Sequence, residues 1–154
     1  MTWLVAGGCL GLGACDGPGY PDGGGFAAGR ITPRAQWTAT GRVLAPASAV
    51  DGDPATAALG EGSYERAFLN IDLGRECLFN MVVINHGARE TGHARRIAVL
   101  TSDDGKNYQR QAEAPGLRRV STVMLPRAVL ARYLRIEVVD PGDTTWAVGE
   151  VYIN

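Results

Sequence analysis

The segment Asp51-Gly52-Asp53-Pro54-Ala55-Thr56 gathers two carboxylates and a hydroxyl into one tight loop. Gly52 permits a sharp bend there and Pro54 stiffens it. A hard cation such as Ca²⁺ wants about six to eight oxygen donors. The loop supplies several of these and lacks a full shell. It is not an EF-hand, because no Glu follows at the twelfth position. Without further donors the same residues make an ordinary Asp-rich turn. Two histidines, His86 and His93, share one segment with no Cys or third His nearby, which argues against a transition-metal set. No Gly-x-Ser-x-Gly, His-Glu-x-x-His or phosphate-binding loop occurs. Paired carboxylates suited to glycosidic hydrolysis occur only in the Asp loop and scattered along strands, although Glu65 and Glu90 could converge. The expected protein is not an enzyme. Cys77, between Glu76 and Leu78, has no His or Lys beside it to favour a thiolate. A small, buried, apolar role is expected for it.

The N-terminal residues carry a different chemistry. Trp3 to Ala14 are apolar or Gly and uncharged. The run is shorter than the roughly 20 residues that span a bilayer, and it fits the apolar core of an export signal. It closes on Leu12-Gly13-Ala14-Cys15, which resembles the lipobox of bacterial lipoproteins. That resemblance implies a diacylglycerol on Cys15 and a place in the bacterial cell envelope, with the lipid anchor as the only membrane contact. The first basic residue is Arg30, so the signal lacks the usual positive start. A disordered apolar stretch, or pairing of Cys9 with Cys15, is the alternative. Asp16 to Gly25 is dense in Gly and Pro, the composition of a flexible tether. The expected division is a signal over 1–14, a tether over 15–30 and one folded domain over 31–154.

These groups must be positioned by strands. The chain has 154 residues, enough for one domain with a real core, and a formal net charge of −1. No basic field is present, so nucleic acid is excluded as the expected partner. From Ile31 onward the apolar period is two. Leu69, Ile71 and Leu73 alternate with polar neighbours, as do Leu134, Ile136 and Val138. Such alternation predicts half-buried antiparallel strands. Further strands are expected at 79–85, 96–101, 108–112, 119–125 and 146–153. Turns are expected at Ser102-Asp103-Asp104-Gly105-Lys106, Ala114-Pro115-Gly116 and Asp140-Pro141-Gly142-Asp143. One helical turn is expected over 46–50. Short strands at regular spacing predict an all-β sandwich or jelly roll.

Five pieces resemble the discoidin family, the coagulation-factor type C domains that include family-32 carbohydrate-binding modules. They are Ala47 to Thr56, Phe68-Leu69-Asn70-Ile71-Asp72-Leu73-Gly74, Thr101 to Tyr108, Ala131 to Ile136, and Gly149-Glu150-Val151. They occur in the family's order over roughly 37–154. The resemblance implies an eight-stranded antiparallel jelly-roll β-sandwich, galactose-binding-domain-like, with its ligand site in loops at one end. Two departures stand out. Ala57 and Ala58 follow Thr56 where many members place Trp, and Phe68 stands where Trp is frequent.

The resemblance also implies a structural Ca²⁺. Its ligands, carried over by position, are the side chains of Asp51, Asp53, Thr56 and Glu150, with carbonyls of Ser48 and Gly149. A sugar-binding face needs an aromatic platform and planar polar groups. The expected ligand contacts are His86, Arg89 and Glu90 on one loop, Trp146 on a late loop, and Glu65 beside Tyr64 and Arg66. The expected partner is a glycan, or an envelope protein in a structural role. Phospholipid is a weaker fit, because few apolar loop tips are present. A monomer is expected.

Overall fold

The computed structural model describes residues 29–60 and 66–154. Nine strands form two antiparallel sheets: β1 Thr38–Gly41, β2 Val43–Leu44, β3 Ala58–Gly60, β4 Phe68–Asn85, β5 Arg96–Ser102, β6 Gln109–Pro115, β7 Val120–Asp140, β8 Ala147–Val148 and β9 Glu150–Ile153. The larger sheet runs β1-β4-β7-β5-β6, with β9 also paired to β4, and the smaller runs β2-β3-β8. Single-turn 3-10 helices occupy Arg34–Gln36 and Pro46–Ala49. The second of these meets the expectation of a helical turn before Asp51.

Alternation along β4 and β7 builds the core. Leu69, Ile71, Leu73, Leu134, Ile136 and Val138 are all buried. Each such side chain contributes about 1.5–3 kcal/mol on leaving water. The register pairs Leu69 with Ile136 and Ile71 with Leu134, so the inward faces of the two strands coincide. Trp37, Phe79, Ile84, Ile97, Trp146 and Val151 belong to the same cluster.

The strand count departs from eight. The expected pairs 68–73 with 79–85, and 119–125 with 133–138, are single long strands that bend. The β4–β7 register shifts between Asp72 and Cys77, and again between Phe79 and Met81. Gly74 takes a left-handed φ of 82° inside the first irregularity. Local extra length lets a strand turn a corner without ending. Cys77 is buried with a free thiol, as its neighbours implied.

The turn after β5 shows how short-range polar chemistry shapes the end of the sheet away from the loops. Asp104 accepts backbone N–H groups of Lys106 and Asn107, both at 2.8 Å, and the Ser102 hydroxyl at 2.9 Å. Those backbone donors hold its carboxyl far below the usual range. Gly105 packs against the Tyr133 ring, where a Cβ would lie 3.1 Å from the ring edge.

Candidate functional site

Three connections, 86–95, 116–119 and 141–146, meet at one end of the sandwich. Backbone bonds hold them together. The Arg119 N–H donates to the Glu90 carbonyl at 3.0 Å, Ala147 to Gly92 at 2.7 Å, and His86 to Arg119 at 2.9 Å. The Thr144 hydroxyl donates to the Thr91 carbonyl at 2.7 Å. Gly60 donates to the Trp146 carbonyl at 2.8 Å, which brings β3 to the same end.

The expected ligand contacts divide across this end. Arg89 is exposed, at the tip of a turn closed by Gly92 N–H to the Arg89 carbonyl at 2.7 Å. Glu90 is half-buried, with its carboxylate 3.0 Å from Arg119 Nε and 3.4 Å from an Arg118 nitrogen. These two residues remain available to a ligand. His86 and Trp146 do not. Trp146 is only 2 % exposed and belongs to the core cluster. A sugar platform needs an open ring face, and this ring has none. Its indole N–H has no hydrogen-bond partner among the described residues. Glu65, Tyr64 and the lipidation candidate Cys15 lie outside the described residues.

His86 is a structural histidine. It is 1 % exposed, with Nδ1 2.6 Å from the Ala147 carbonyl and Nε2 2.9 Å from the Ser121 hydroxyl. A carbonyl only accepts, so Nδ1 carries the proton and Nε2 accepts from Ser121. The ring thereby ties β8 to the start of β7. Burial pushes its pKa down from 6.5, partly offset by the Ala147 carbonyl. The unfolded chain then binds the proton more readily than the folded one. Stability from neutral His86 is complete above the unfolded pKa of about 6.5 and is lost as pH falls below it. The denaturation midpoint is expected to fall between about pH 7.5 and about pH 5. The slope should flatten in His86→Gln, and an unchanged slope in that variant would contradict the assignment.

The residues expected to hold Ca²⁺ do not share one shell. The loop closes on itself. Asp51 accepts the Asp53 N–H and the Thr56 hydroxyl, each at 2.8 Å, and Asp53 accepts the Ala55 N–H at 2.9 Å. Those bonds from Asp53 and Thr56 lower the Asp51 pKa, with a further contribution from Arg34. Glu150 is buried on β9, and the cation it meets is the Arg34 guanidinium. Among the described residues no three His, Cys, Asp or Glu side chains converge as a metal site. In this arrangement the counter-charge of the Glu150 carboxylate is Arg34.

Arg34 escaped sequence reasoning. It stands on the first 3-10 turn, 4.6 Å from the Tyr152 ring centroid and 5.8 Å from that of Trp37. The nearby Trp37 was the only signal, and a three-residue spacing outside an α-helix carries no prediction of contact. Arg135 was also missed. It alternates outward on β7 between Tyr133 and Glu137, so its exposure was readable while its stacking partners were not.

A two-sheet antiparallel sandwich with its free polar groups in end loops and on an outer sheet face defines the galactose-binding-like class of domain. This chain belongs to the F5/8 type C domain family, whose model matches residues 30–151. Several solved structures share the fold. CpGH89CBM32-5 from Clostridium perfringens, in complex with GalNAc-beta-1,3-galactose, superposes with a TM-score of 0.70 at 14% identity, covering 79% of this chain and 96% of that one. The family-32 module of C. perfringens NanJ, in complex with galactose, gives 0.69 at 17% identity, covering 79% and 95%. CBM32-3 from a family 31 glycoside hydrolase of C. perfringens gives 0.65 at 19% identity, covering 78% and 91%. Among curated proteins none matches. The resemblance drawn from the five sequence pieces, and the sandwich it implied, are therefore correct.

Proposed function

We propose that this chain is a non-catalytic carbohydrate-binding module that meets its glycan at the loop end of the sandwich. Membership of the F5/8 type C family over residues 30–151 carries the reading. Its loop end supports it chemically. Arg89 offers a planar fork of donors in the open, and Glu90 offers acceptors steadied by Arg118 and Arg119. With Trp146 and His86 buried, the proposed sugar contacts among the described loop residues are the hydrogen-bonding groups of Arg89 and Glu90. The Leu12-Gly13-Ala14-Cys15 segment extends the reading to a lipid-tethered module at the cell envelope.

A glycan array with the purified chain tests the function. Binding to at least one glycan class is expected. Arg89→Ala and Glu90→Ala should each weaken it about tenfold, or about 1.4 kcal/mol. An array with no bound glycan, alongside capture of a stable protein partner, would replace this reading with a structural role in an envelope complex.

A further inference from the structure

A second constellation lies where the outer face of the large sheet meets Arg42 and Arg66, residues that stand just outside the strands. A cleft of about 330 Å³ is lined by Arg42, Arg66, Phe68, Arg135 and Glu137, with Ala67 and Val138 at its base. Its volume lies near the lower bound of small-ligand pockets, about 300 Å³. Among the described residues, three guanidinium groups and one carboxylate line this cleft. Glu137 is already engaged, 3.5 Å from Arg135 and 3.7 Å from Arg110. Arg42 and Arg66 are both exposed and have no carboxylate partner among the described residues.

Arg135 is held rigidly. Its guanidinium lies 4.0 Å from the Tyr108 ring centroid and 4.6 Å from that of Phe68, and its Nε donates to Asn70 at 2.7 Å. Stacked and hydrogen-bonded, it loses little freedom on meeting a ligand. Arg66 has a left-handed backbone with φ of 72°. That conformation disfavours any residue with a Cβ, and it persists only where the surroundings impose it. Glycine would fit there without strain, yet the position carries a guanidinium.

Beyond Arg135 lies a second cleft of about 240 Å³, lined by Thr38, Thr40, Asn70, Asp72, Tyr108 and Tyr133. Asn70 and Tyr108 of this second cleft both contact Arg135 of the first, so Arg135 stands between the two clefts on β7. One cleft is cationic. The other offers hydroxyls, an amide and two phenol rings, the groups that suit sugar hydroxyls and apolar ring faces, together with the Asp72 carboxylate, whose charge Arg132 matches.

We propose that the two clefts together bind an acidic glycan. A carboxylate or sulfate of one sugar would sit among Arg42, Arg66 and Arg135, and the neighbouring sugar would lie along Tyr108 and Tyr133. Arginine forks take planar carboxylates and sulfate-like oxyanions in bidentate fashion, which supplies both charge and direction. The inference rests on the carbohydrate reading and deepens it, giving a ligand charge and a second place on the fold.

Calorimetry with the full chain and three oligosaccharides of equal length tests the proposal: an oligogalacturonate, a heparin-type sulfated oligomer and a neutral galacto-oligomer. At least one acidic oligomer is expected to bind about tenfold or more tighter than the neutral one, and to weaken as salt is added. Whichever acidic oligomer binds tighter identifies the acidic group. Arg66→Gly keeps the backbone conformation and removes the guanidinium, and Arg42→Ala removes an exposed side chain. Each should cut acidic-oligomer affinity about tenfold with an unchanged melting temperature. Equal affinity for acidic and neutral oligomers would overturn the proposal. So would an acidic preference that survives the double variant, or inorganic sulfate binding as tightly as the sulfated oligomer. Neutral-glycan binding abolished by Arg89→Ala and untouched by Arg42→Ala and Arg66→Gly would leave the carbohydrate reading standing and sink this proposal.

Discussion

Trp146→Ala is expected to destabilise the domain by about 3–5 kcal/mol, as measured by chemical denaturation. The ring is buried among core residues and supplies one of the largest apolar surfaces at the loop end. The connections it underpins include the 86–95 loop through the Gly92–Ala147 bond and β3 through Gly60. Any loss of glycan binding in this variant should therefore follow loss of folding. Trp146→Phe separates the two effects. The indole N–H is buried without a partner among the described residues, so removing it forfeits no hydrogen bond there. Trp146→Phe is expected to cost about half as much as the alanine change or less, and to leave glycan affinity within twofold. A Trp146→Ala protein of normal stability that had lost its ligand would show instead that the ring serves as a platform.

Arg34→Ala is expected to lower stability by about 3 kcal/mol, a fall of roughly 10 °C in melting temperature. Glu150 is 1 % exposed, and the Arg34 guanidinium is its counter-charge. Removing the arginine strands a carboxylate inside the protein. Glu150→Gln should cost less, since a neutral amide tolerates burial better than an unpaired charge and Arg34 is partly exposed at 27%. The double variant should recover part of the loss, and the thermodynamic cycle measures the coupling. The pair also bears on the cation expected from the family. With Arg34 already against Glu150, added Ca²⁺ or a chelator should leave the wild-type melting temperature unchanged. In Arg34→Ala, Ca²⁺ has a vacant counter-charge position and should raise it. A calorimetric Ca²⁺ signal in the wild type that Asp51→Ala abolishes would show the loop carboxylates holding the ion in place of the arginine.

The strands were legible because their physics is local. Side chains on a strand alternate, so the inward positions 69, 71, 73, 134, 136 and 138 could be read from polarity alone. The turn at Ser102 to Lys106 was equally legible, because Asp104 and Gly105 act within a few residues. The corners inside β4 and β7 were not. Whether a chain stops or bends at Gly74 depends on what pairs with it, and Cys77 pairs with Ala131, far along the chain. Polarity also placed His86 in a loop beside Arg89, and loops ordinarily face water. The histidine lies inside because Ser121 and Ala147 supply its hydrogen bonds from distant segments.

From sequence alone came the fold class, the inward faces, the turn at Ser102 to Lys106 and the order of pieces that resembles the F5/8 type C family. Ala114 and Pro115, expected in a turn, pair instead with β5 as the end of β6. The faces and the turn rest on residue spacing within a strand or turn, where covalent geometry dictates which groups are neighbours, and the family rests on the resemblance of those pieces. The tertiary structure decided what the polar and aromatic groups meet. It turned Trp146 into core, set Arg34 against Glu150, and assembled Arg42, Arg66 and Arg135 from three separate segments around one cleft. Burial and charge pairing are properties of packed surfaces, and packing joins residues that no local spacing relates.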